Sequence, residues 1–248
     1  MADSLLNKQV TLHQPDDAFR TGLDAVLLSA CMPALKTGRI LDAGCGVGAV
    51  SLCYAMRHDN DVRITGLELH KTFKCLAVQS VTENNLSHRV DIIHGDLKDN
   101  IFGSDVFNGV MTNPPFEKSD SANRANNTLK DIANIESTVD LLHWITQCLR
   151  ALKARGYFTI IHKMERLDSI LHALHGVAGD IQILPIQTKY NTAPKRVIVV
   201  ARKGIKTGVK MHPVFCMQSE DGSYTNKAQK ILAGQSCLDI INNTEWKI

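Results

Sequence analysis

The fold is decided by a short glycine-rich stretch, Asp42-Ala43-Gly44-Cys45-Gly46-Val47-Gly48. An apolar strand that opens at Arg39-Ile40-Leu41 precedes it, and an apolar helix that continues to Met56 follows it. Glycines between a strand and a helix let a ligand approach the backbone closely, and the N-terminus of the helix lies behind them. The stretch therefore predicts the first strand, the ligand-binding loop and the first helix of an open α/β sheet.

Strands and helices alternate from Arg39 towards the end of the chain. Further strands are predicted at residues 62–67, 90–94, 106–112, 156–161, 181–186 and 196–201, and helices at residues 71–84, 136–152 and 165–175. This alternation predicts a doubly wound, seven-stranded, mostly parallel sheet with helices on both faces. We expect one domain over residues 1–248, with an N-terminal extension at 1–38, the core sheet at 39–203 and a C-terminal extension at 204–248.

The segments on either side of the sheet have patterns of their own. Residues 9–13 predict a short strand, and residues 25–30 predict an apolar helix. Asp24 lies at the start of that helix, where a carboxylate can cap the helix or contact a cofactor. Residues 213–232 predict a turn at Asp221-Gly222 and a short helix that packs on the edge of the sheet.

Acidic residues at the strand ends indicate what the loop binds. Asp42 favours S-adenosylmethionine (SAM) as the ligand. The charged aminoacyl end of SAM needs a polar group at the end of a strand rather than a loop that binds a diphosphate. Glu68 follows the second strand and suits the ribose hydroxyls of SAM or of NAD, so it indicates a nucleoside without choosing between them. Asp96 follows the third strand and is placed to receive the adenine amine of the cofactor. The loop also satisfies the dinucleotide pattern G-x-G-x-x-G/A, which is weak alone, so an NAD-dependent oxidoreductase stays open.

The fourth strand ends in an unusual turn, Asn113-Pro114-Pro115-Phe116. Neither proline can donate to a sheet ladder, so the strand stops at a stiff, open turn. Such a turn suits the activation of a planar amine like that of adenine, whose lone pair is delocalised into the ring. Acceptors on both amine protons draw the nitrogen towards tetrahedral geometry, and the Asn113 side chain and the Pro114 carbonyl can supply them. Phe116 can stack on the base, and the alternative is a plain loop with Phe116 packed inward.

Two polar segments are candidates for contact with a substrate. Residues 117–134 contain Arg124 and lack apolar periodicity, which predicts a loop that acts as a lid beside the site. Residues 181–219 hold no acidic residue and seven basic ones: Lys189, Lys195, Arg196, Arg202, Lys203, Lys206 and Lys210. Such a run is either a solvated face or a contact for a phosphate backbone. Trp144 lies at helical spacing and is predicted to belong to the core.

The composition limits the class of protein. Of the 248 residues, 44% are hydrophobic, which is enough for a large core, and the net charge of +3 decides little about partners. The seven cysteines include no Cys-x-x-Cys pair and no zinc spacing, so we expect no metal and a reduced, cytoplasmic protein. No apolar run is long enough to span a membrane, and the N-terminus lacks the features of a signal peptide.

The motifs together resemble a known class of enzyme. The stretch at residues 42–48, with Asn113-Pro114-Pro115-Phe116, resembles Rossmann-like SAM-dependent methyltransferases that act on planar amines. Three further stretches resemble the bacterial valine-tRNA adenine-N(6)-methyltransferase family: Phe19-Arg20-Thr21-Gly22-Leu23-Asp24-Ala25-Val26-Leu27-Leu28, Pro194-Lys195-Arg196-Val197 and Asp221-Gly222-Ser223-Tyr224-Thr225. Members of that family methylate the adenine beside the anticodon. The resemblance covers nearly the whole chain and implies that the last strand runs antiparallel to the rest.

The resemblance also implies roles for particular residues. The catalytic residues would be Asn113, Pro114 and Phe116. The cofactor would be bound by Thr21, Asp24, Asp42, Gly44, Cys45, Gly46, Gly48, Glu68, Asp96, Leu97 and Asn113. The substrate RNA would be bound by Pro115, Arg124, Lys195 and Arg196.

The hypothesis is direct, in-line transfer of a methyl group from SAM to an adenine amine in RNA, with neither a metal nor a covalent intermediate. Another planar amine stays open as the acceptor: one in ribosomal RNA, a DNA adenine or a protein glutamine. A third possibility is a non-catalytic RNA-binding module, although pure binding would not need the acceptors of the Asn113 turn. We expect tRNA or other RNA as the partner, no obligate protein partner and no membrane.

Overall fold

The computed structural model of the protein describes residues 2–15, 22–114, 117–118, 135–136 and 141–241. In chain order the elements are β1 (Ala2–Leu5), β2 (Val10–His13), α1 (Leu23–Cys31), β3 (Thr37–Ala43), α2 (Ala49–Arg57), β4 (Asp61–Glu68), α3 (Lys71–Glu83), β5 (Val90–His94), β6 (Phe107–Thr112), β7 (Glu117–Lys118), β8 (Ile135–Glu136), α4 (Leu141–Ala151), β9 (Leu152–Lys163), α5 (Leu167–Leu174), β10 (Ala178–Lys189), β11 (Arg196–Lys203), β12 (Val209–Met211), β13 (Phe215–Gln218) and α6 (Asn226–Leu232). Short 3-10 helices lie at Leu97–Asp99 and Met164–Arg166.

The central sheet contains the seven expected strands in the order β5-β4-β3-β6-β9-β11-β10. Strand β11 is antiparallel to both of its neighbours, while the other pairs along this path are parallel. The doubly wound fold and the antiparallel last strand are therefore confirmed. Two short strands, β12 and β13, also pair with β10 in parallel, so the sheet has nine strands. They belong to the segment that we expected to be a C-terminal extension.

Helices cover both faces of the sheet, as predicted. One apolar core contains residues of α1, α2, α3 and α6, and the other contains residues of α4 and α5. Strand β11 shows why both faces are apolar: Ile198 and Val200 belong to the first core, and Val197 and Val199 belong to the second. Because successive side chains of a strand point to opposite faces, a strand covered on both sides is apolar throughout.

The predicted start of the helix at residue 136 is wrong. Residues Ile135–Glu136 form β8, which pairs in parallel with β7, and the described helix is Leu141–Ala151. Pairing with a strand that lies far away in the sequence overrides the local apolar spacing on which the prediction rested. The chain then enters β9 directly at Leu152, earlier than the predicted residue 156.

The N-terminal strand at residues 9–13 is confirmed as β2, and it forms an antiparallel hairpin with β1. The hairpin is tied to the end of α3 by Asn84, whose side chain accepts a hydrogen bond from the Thr11 backbone N–H at 2.9 Å and donates to its carbonyl at 2.6 Å. His13 also pairs with Glu83. None of the helices in the described part of the chain is long and apolar enough to cross a bilayer.

Candidate active site

Four neighbouring strands of the sheet end side by side, and their ends form the candidate site. The registers Ala43 with Thr112 and Ala43 with Leu67 place Gly44 between Asn113 and Glu68. Neighbouring strands lie about 4.8 Å apart, so these three residues form a short row along the carboxyl edge of the sheet. The strand order reverses between β3 and β6, and such a switch point is where open α/β sheets bind ligands.

The glycine-rich loop turns back against β4 after β3 ends. The backbone N–H groups of Gly44 and Cys45 both donate to the Leu67 carbonyl at 2.9 Å. Gly44 has φ of 71°, a left-handed conformation that favours glycine, and a Cβ there would lie 2.9 Å from the Trp144 ring. Gly48 has φ of 85° and precedes the first turn of α2. The N-terminus of α2 therefore lies behind the loop, as the sequence predicted.

Asp42 is buried at the end of β3, with 1% of its surface exposed. Its Oδ2 accepts hydrogen bonds from the Ser51 backbone N–H at 3.0 Å and the Ser51 hydroxyl at 2.6 Å. Its Oδ1 is buried and has no hydrogen-bond partner within the described part of the chain. Burial, with a smaller contribution from the nearby Glu68, raises the pKa of Asp42 to about 6. A buried carboxylate oxygen without a donor fits a cationic group of a ligand.

Glu68 is buried at the end of β4, with 5% of its surface exposed. Its Oε2 accepts a hydrogen bond from the Gly46 N–H at 2.8 Å, and its Oε1 accepts one from the His70 N–H at 2.8 Å. Burial raises the pKa of Glu68, while these two bonds lower it. Each carboxylate oxygen has a second lone pair, so both can still accept from the hydroxyls of a ligand.

The end of β5 contributes Asp96 and Leu97. Asp96 is half-buried, and its Oδ1 accepts a hydrogen bond from the Lys98 N–H at 2.9 Å, which caps the short 3-10 helix. Leu97 is buried against the second core. Asp96 thus acts locally as a cap, and it lies two residues after His94, which pairs with Glu68 at the same edge of the sheet.

Asn113 is half-buried at the end of β6, and Pro114 is buried. The Asn113 Oδ1 is buried and has no hydrogen-bond partner among residues 2–15, 22–114 and 141–241. The preceding Thr112 hydroxyl donates to the Ala43 carbonyl at 2.9 Å, which ties the end of β6 to the end of β3. Asn113 therefore presents a carbonyl oxygen, without a donor of its own, beside the glycine-rich loop.

Trp144 packs against the second core, as predicted, and it also contacts the candidate site, which sequence reasoning missed. Its indole N–H donates to the Thr112 hydroxyl at 2.9 Å, and its ring lies against Gly44. The side chain is half-buried rather than buried. Helical spacing carries no signal of this role, because the contact joins α4 to two strand ends that are distant in the sequence.

Asp24 and Arg196 were predicted for different ligands, and the structure brings them together. Arg196 Nε donates to Asp24 Oδ2 at 2.9 Å, with 32% and 21% of the two side chains exposed. Lys195 is exposed beside it. Cys45 is buried against Gly66, and burial raises its thiol pKa, so its part in the loop is through the backbone. The remaining predicted site residues, Thr21, Pro115, Phe116 and Arg124, lie outside the described residues.

Comparison with known proteins assigns the chain to a family. The methyltransferase small domain matches residues 20–191, which include the ends of β3, β4, β5 and β6. The chain belongs to this family. Similar curated proteins are each named tRNA1(Val) (adenine(37)-N6)-methyltransferase. One from Actinobacillus pleuropneumoniae is 29% identical over 77% of this chain and 80% of its own length. One from Bacteroides fragilis is 29% identical over 77% of this chain and 81% of its own length.

Solved structures give the same fold. A predicted O-methyltransferase from Agrobacterium tumefaciens has a TM-score of 0.73 and 20% identity, and the match covers 88% of this chain and 99% of that one. A precorrin-6y C5,15-methyltransferase from Geobacter metallireducens has a TM-score of 0.54 and 16% identity, over 77% of this chain and 95% of that one. At these identities the likeness shows a methyltransferase fold and nothing finer.

The methyltransferase uses S-adenosylmethionine, and its site fits that cofactor. The Asp42 Oδ1, which has no partner in the described ranges, suits the ammonium group, and the oxygens of Glu68 suit the ribose hydroxyls. The left-handed Gly44 lets a ligand reach the backbone where a side chain would collide with Trp144. Family membership thus decides between SAM and NAD, a choice that the glycine pattern and Glu68 left open.

Proposed function

We propose that this methyltransferase methylates the N6 amine of an adenine in tRNA, at the position beside the anticodon. The named relatives support this substrate, since they match over 77% of this chain. The observation that carries the chemistry is the buried Asn113 Oδ1, which has no donor among the described residues and lies next to the glycine-rich loop. An acceptor that lacks a donor in the free protein is what an incoming amine would satisfy.

For the cofactor site we propose contacts from Thr21, Asp24, Asp42, Gly44, Cys45, Gly46, Gly48, Glu68, Asp96, Leu97 and Asn113. When bound, SAM supplies an electrophilic methyl group on a sulfonium. Asp42 would bind the ammonium group through its free oxygen, and Ser51 would hold the carboxylate in place. Glu68 would accept from the ribose hydroxyls, and its bonds to Gly46 and His70 fix its orientation.

We propose that Asn113 and Pro114 activate the adenine amine. The Asn113 Oδ1 and the Pro114 carbonyl would each accept a hydrogen bond from one of the two amine N–H groups, which draws the nitrogen out of conjugation with the ring. These acceptors act only if their positions are fixed before the substrate binds. The hydrogen bond of 2.9 Å from the Thr112 hydroxyl to the Ala43 carbonyl fixes the end of β6. Phe116 would stack on the base, which contributes about 1 to 3 kcal/mol.

An anticodon loop suits this site energetically. A base must leave its stack to reach the amine acceptors, which costs a few kcal/mol in a duplex and least in a single-stranded loop. We propose that Pro115, Arg124, Lys195 and Arg196 contact the RNA. A tRNA substrate supports a cytoplasmic location, and we propose that the enzyme needs no obligate protein partner.

The deciding experiment is methyl transfer from labelled SAM to unmodified tRNA, with the product nucleoside identified by mass spectrometry. We expect N(6)-methyladenosine in the valine tRNA fraction. Asn113→Ala should lower kcat about a hundredfold to a thousandfold, because one preorganised acceptor is lost. Its SAM affinity should change much less, and Asn226→Ala, which alters an exposed asparagine in α6, should match the wild type.

Two results would contradict the proposal in different ways. Near-normal turnover of Asn113→Ala would remove Asn113 from the chemistry. Transfer to ribosomal RNA, to DNA adenine or to a protein glutamine, with none to tRNA, would keep the methyltransferase and exclude the tRNA substrate.

A further inference from the structure

The basic run of residues 181–219 is divided between the two ends of the sheet. Strand β11 begins with Arg196 at the carboxyl edge and ends with Arg202 and Lys203 at the opposite edge. At that far edge Lys203 Nζ donates to Asp105 at 2.9 Å and to the Leu152 carbonyl at 2.6 Å. The Lys203 ammonium group therefore makes its contacts within the fold. The basic residues of 181–219 do not form one continuous surface.

The far-edge charges continue into the segment that follows β11. Arg202 lies over the ring of Tyr157, 5.0 Å from its centroid. Lys206 and Lys210 are exposed, and the adjacent Thr207 accepts a hydrogen bond from the Asp180 N–H. Asp180 lies nine residues before Lys189 along β10, which corresponds to about 30 Å of strand. Lys206 is therefore remote from the carboxyl edge.

Two exposed tyrosines accompany the basic residues that stay at the carboxyl edge. Tyr190 is 55% exposed and Tyr224 is 38% exposed. The Tyr190 N–H donates to the Gln218 carbonyl at 3.1 Å, and Tyr224 forms an antiparallel bridge with Gln218. Lys189 is paired with Gln218 in the register of β10 and β13. Lys189, Tyr190, Lys195 and Tyr224 form what we call the tyrosine surface.

Most of the tyrosine surface lies on one face of the sheet. Residues directly opposite each other on paired strands share a face, so Lys189, Gln218 and Tyr224 point the same way. Lys195 lies two residues before Val197, whose side chain belongs to the core under α4 and α5, so Lys195 is on that face as well. Arg196 points to the other face, where it meets Asp24.

The tyrosine surface extends the row of strand ends that contains Asn113. From β6 the sheet continues through β9, β11 and β10 to β13. At about 4.8 Å per strand, β13 lies about 19 Å from β6. The strand ends between them are linked, since the Met164 N–H donates to the Lys195 carbonyl and the Lys195 N–H donates to the Ile186 carbonyl. An extended ligand anchored at Asn113 can therefore follow one continuous edge.

The charge of this edge favours an anion. Residues 181–219 contain no acidic residue; Asp180 precedes the run at the far edge, and Glu220 and Asp221 follow it in the turn before Tyr224. Asp221 accepts hydrogen bonds from the Ser223 N–H and the Ser223 hydroxyl, so its carboxylate is engaged in holding that turn. Exposed aromatic rings beside lysines are the features that bind single-stranded nucleic acid, through base stacking and phosphate contacts.

We propose that the tyrosine surface binds the single-stranded RNA next to the target adenine, with Tyr190 and Tyr224 each stacking on a base and Lys189 and Lys195 contacting phosphates. This inference rests on the proposed function, because it takes the RNA to be anchored at Asn113. It predicts that the basic residues at the carboxyl edge contact RNA and that Lys206 and Lys210 do not.

The test is binding of a fluorescein-labelled anticodon stem-loop RNA to the full chain, measured by anisotropy. Tyr190→Leu and Tyr224→Leu should each weaken binding about fivefold to a hundredfold, the range that loss of one stacked base gives. Tyr190→Phe and Tyr224→Phe keep the ring and should bind normally. Lys189→Ala with Lys195→Ala should reduce the slope of log affinity against log salt by about 1.4, since each phosphate contact contributes about 0.7.

Matched controls separate this surface from general electrostatics. Lys206→Ala with Lys210→Ala removes the same charge from exposed positions at the far side and should leave affinity and salt slope unchanged. SAM affinity, measured by calorimetry, should be the same in every variant. Equal losses in the Leu and Phe variants, or a loss in the far-side control, would overturn the proposal.

The remaining outcomes distinguish this inference from the proposed function. If the wild type methylates tRNA and the Leu variants bind RNA normally, the tyrosine surface is wrong and the function stands. If the wild type neither binds nor methylates RNA, the function fails and the surface fails with it. Self-association that the Leu variants abolish, without any change in RNA binding, would assign the surface to a second copy of the chain.

Discussion

Two buried oxygens at the site, Asp42 Oδ1 and Asn113 Oδ1, have no hydrogen-bond partner among the described residues. A buried polar group left unpaired costs about 1 to 3 kcal/mol. Both oxygens lie at the ends of strands that run into the same switch point, where ligands bind. We attribute their cost to function, since each would gain a donor when the cofactor or the substrate binds.

At this residue scale we predict that SAM binding depends on pH through Asp42. The pKa of Asp42 is raised to about 6 by burial, and only its ionised form attracts an ammonium group. Affinity measured by calorimetry from about pH 5 to about pH 8 should fall up to tenfold per pH unit below pH 6. Asp42→Asn should bind SAM at least tenfold more weakly than the wild type does, and its affinity should not change with pH in this way.

The stability of the free protein supplies a second readout for Asp42. Because its folded-state pKa exceeds the usual value of 3.8, the folded state binds the proton more tightly. The contribution of Asp42 to the free energy of unfolding therefore falls as the pH rises from about 4 to about 6. Asp42→Asn should melt no lower than the wild type at neutral pH. A flat SAM affinity in the wild type, or the same loss in the exposed-residue control Asp91→Asn, would contradict this role.

At the scale of elements, the ends of β3 and β6 are held together by side chains as well as by the ladder. Trp144 of α4 donates to Thr112, and Thr112 donates to the Ala43 carbonyl, both at 2.9 Å. The same indole ring lies against Gly44. One helix thus fixes the positions of the glycine-rich loop and the Asn113 turn relative to each other.

We predict that Trp144→Phe, which keeps a ring and removes the N–H, weakens SAM binding about twofold to tenfold. That range corresponds to the loss of one hydrogen bond of about 0.5 to 1.5 kcal/mol. Calorimetry with SAM, together with kcat on tRNA, measures the effect. Leu142→Ala alters an exposed position of the same helix and serves as the control. Unchanged affinity and kcat in Trp144→Phe would show that the hydrogen bond has no positioning role.

At the scale of the whole molecule, the C-terminal segment closes one face of the sheet. Arg57 at the end of α2 donates to the Ile231 carbonyl at 2.6 Å and to the Ser236 carbonyl at 2.8 Å. The Leu238 N–H donates to the Ala30 carbonyl at 2.8 Å, and Leu238 is buried in the first core. The tail is therefore part of the fold; the sequence placed its short helix on the edge of the sheet, and the structure packs α6 against α1 and β13.

We predict that Arg57→Met destabilises the protein by on the order of 2 to 4 kcal/mol. Two carbonyls would lose their donor, at about 1 to 3 kcal/mol for each group that stays buried. Urea unfolding at equilibrium measures the change in the free energy of unfolding. Arg63→Met, at an exposed position of β4, should change it by less than about 0.5 kcal/mol. A loss that is equally small for Arg57→Met would mean that the tail contributes little to stability.

Several features of the whole chain stay predictions. A single domain over residues 1–248 and a cytoplasmic location are among them, and the family match ends at residue 191. Strand β11, which completes the central sheet, and the tyrosine surface at Lys195 and Tyr224 lie beyond that match. The predicted lid at residues 117–134 lies outside the described residues except for the two residues of β7.

Local patterns in the sequence identify the seven strands of the central sheet, the glycine-rich loop and the residues at the strand ends. These features depend on neighbours along the chain: apolar periodicity, the left-handed conformation of Gly44 and the inability of two prolines to continue a strand. Because parallel strands end at a common edge, the order of elements was enough to predict that Asp42, Glu68 and Asn113 would lie close together.

The contacts that join distant segments follow from the fold and not from local patterns. It placed Trp144 on Gly44, paired Asp24 with Arg196 and divided the basic run between opposite ends of the sheet. It also added β12 and β13 to the sheet and replaced the predicted start of α4 with a strand pair. Each of these depends on the register between strands or on the packing of a helix across a sheet. The partners lie between 18 and 172 residues apart, so no local pattern in the sequence records them.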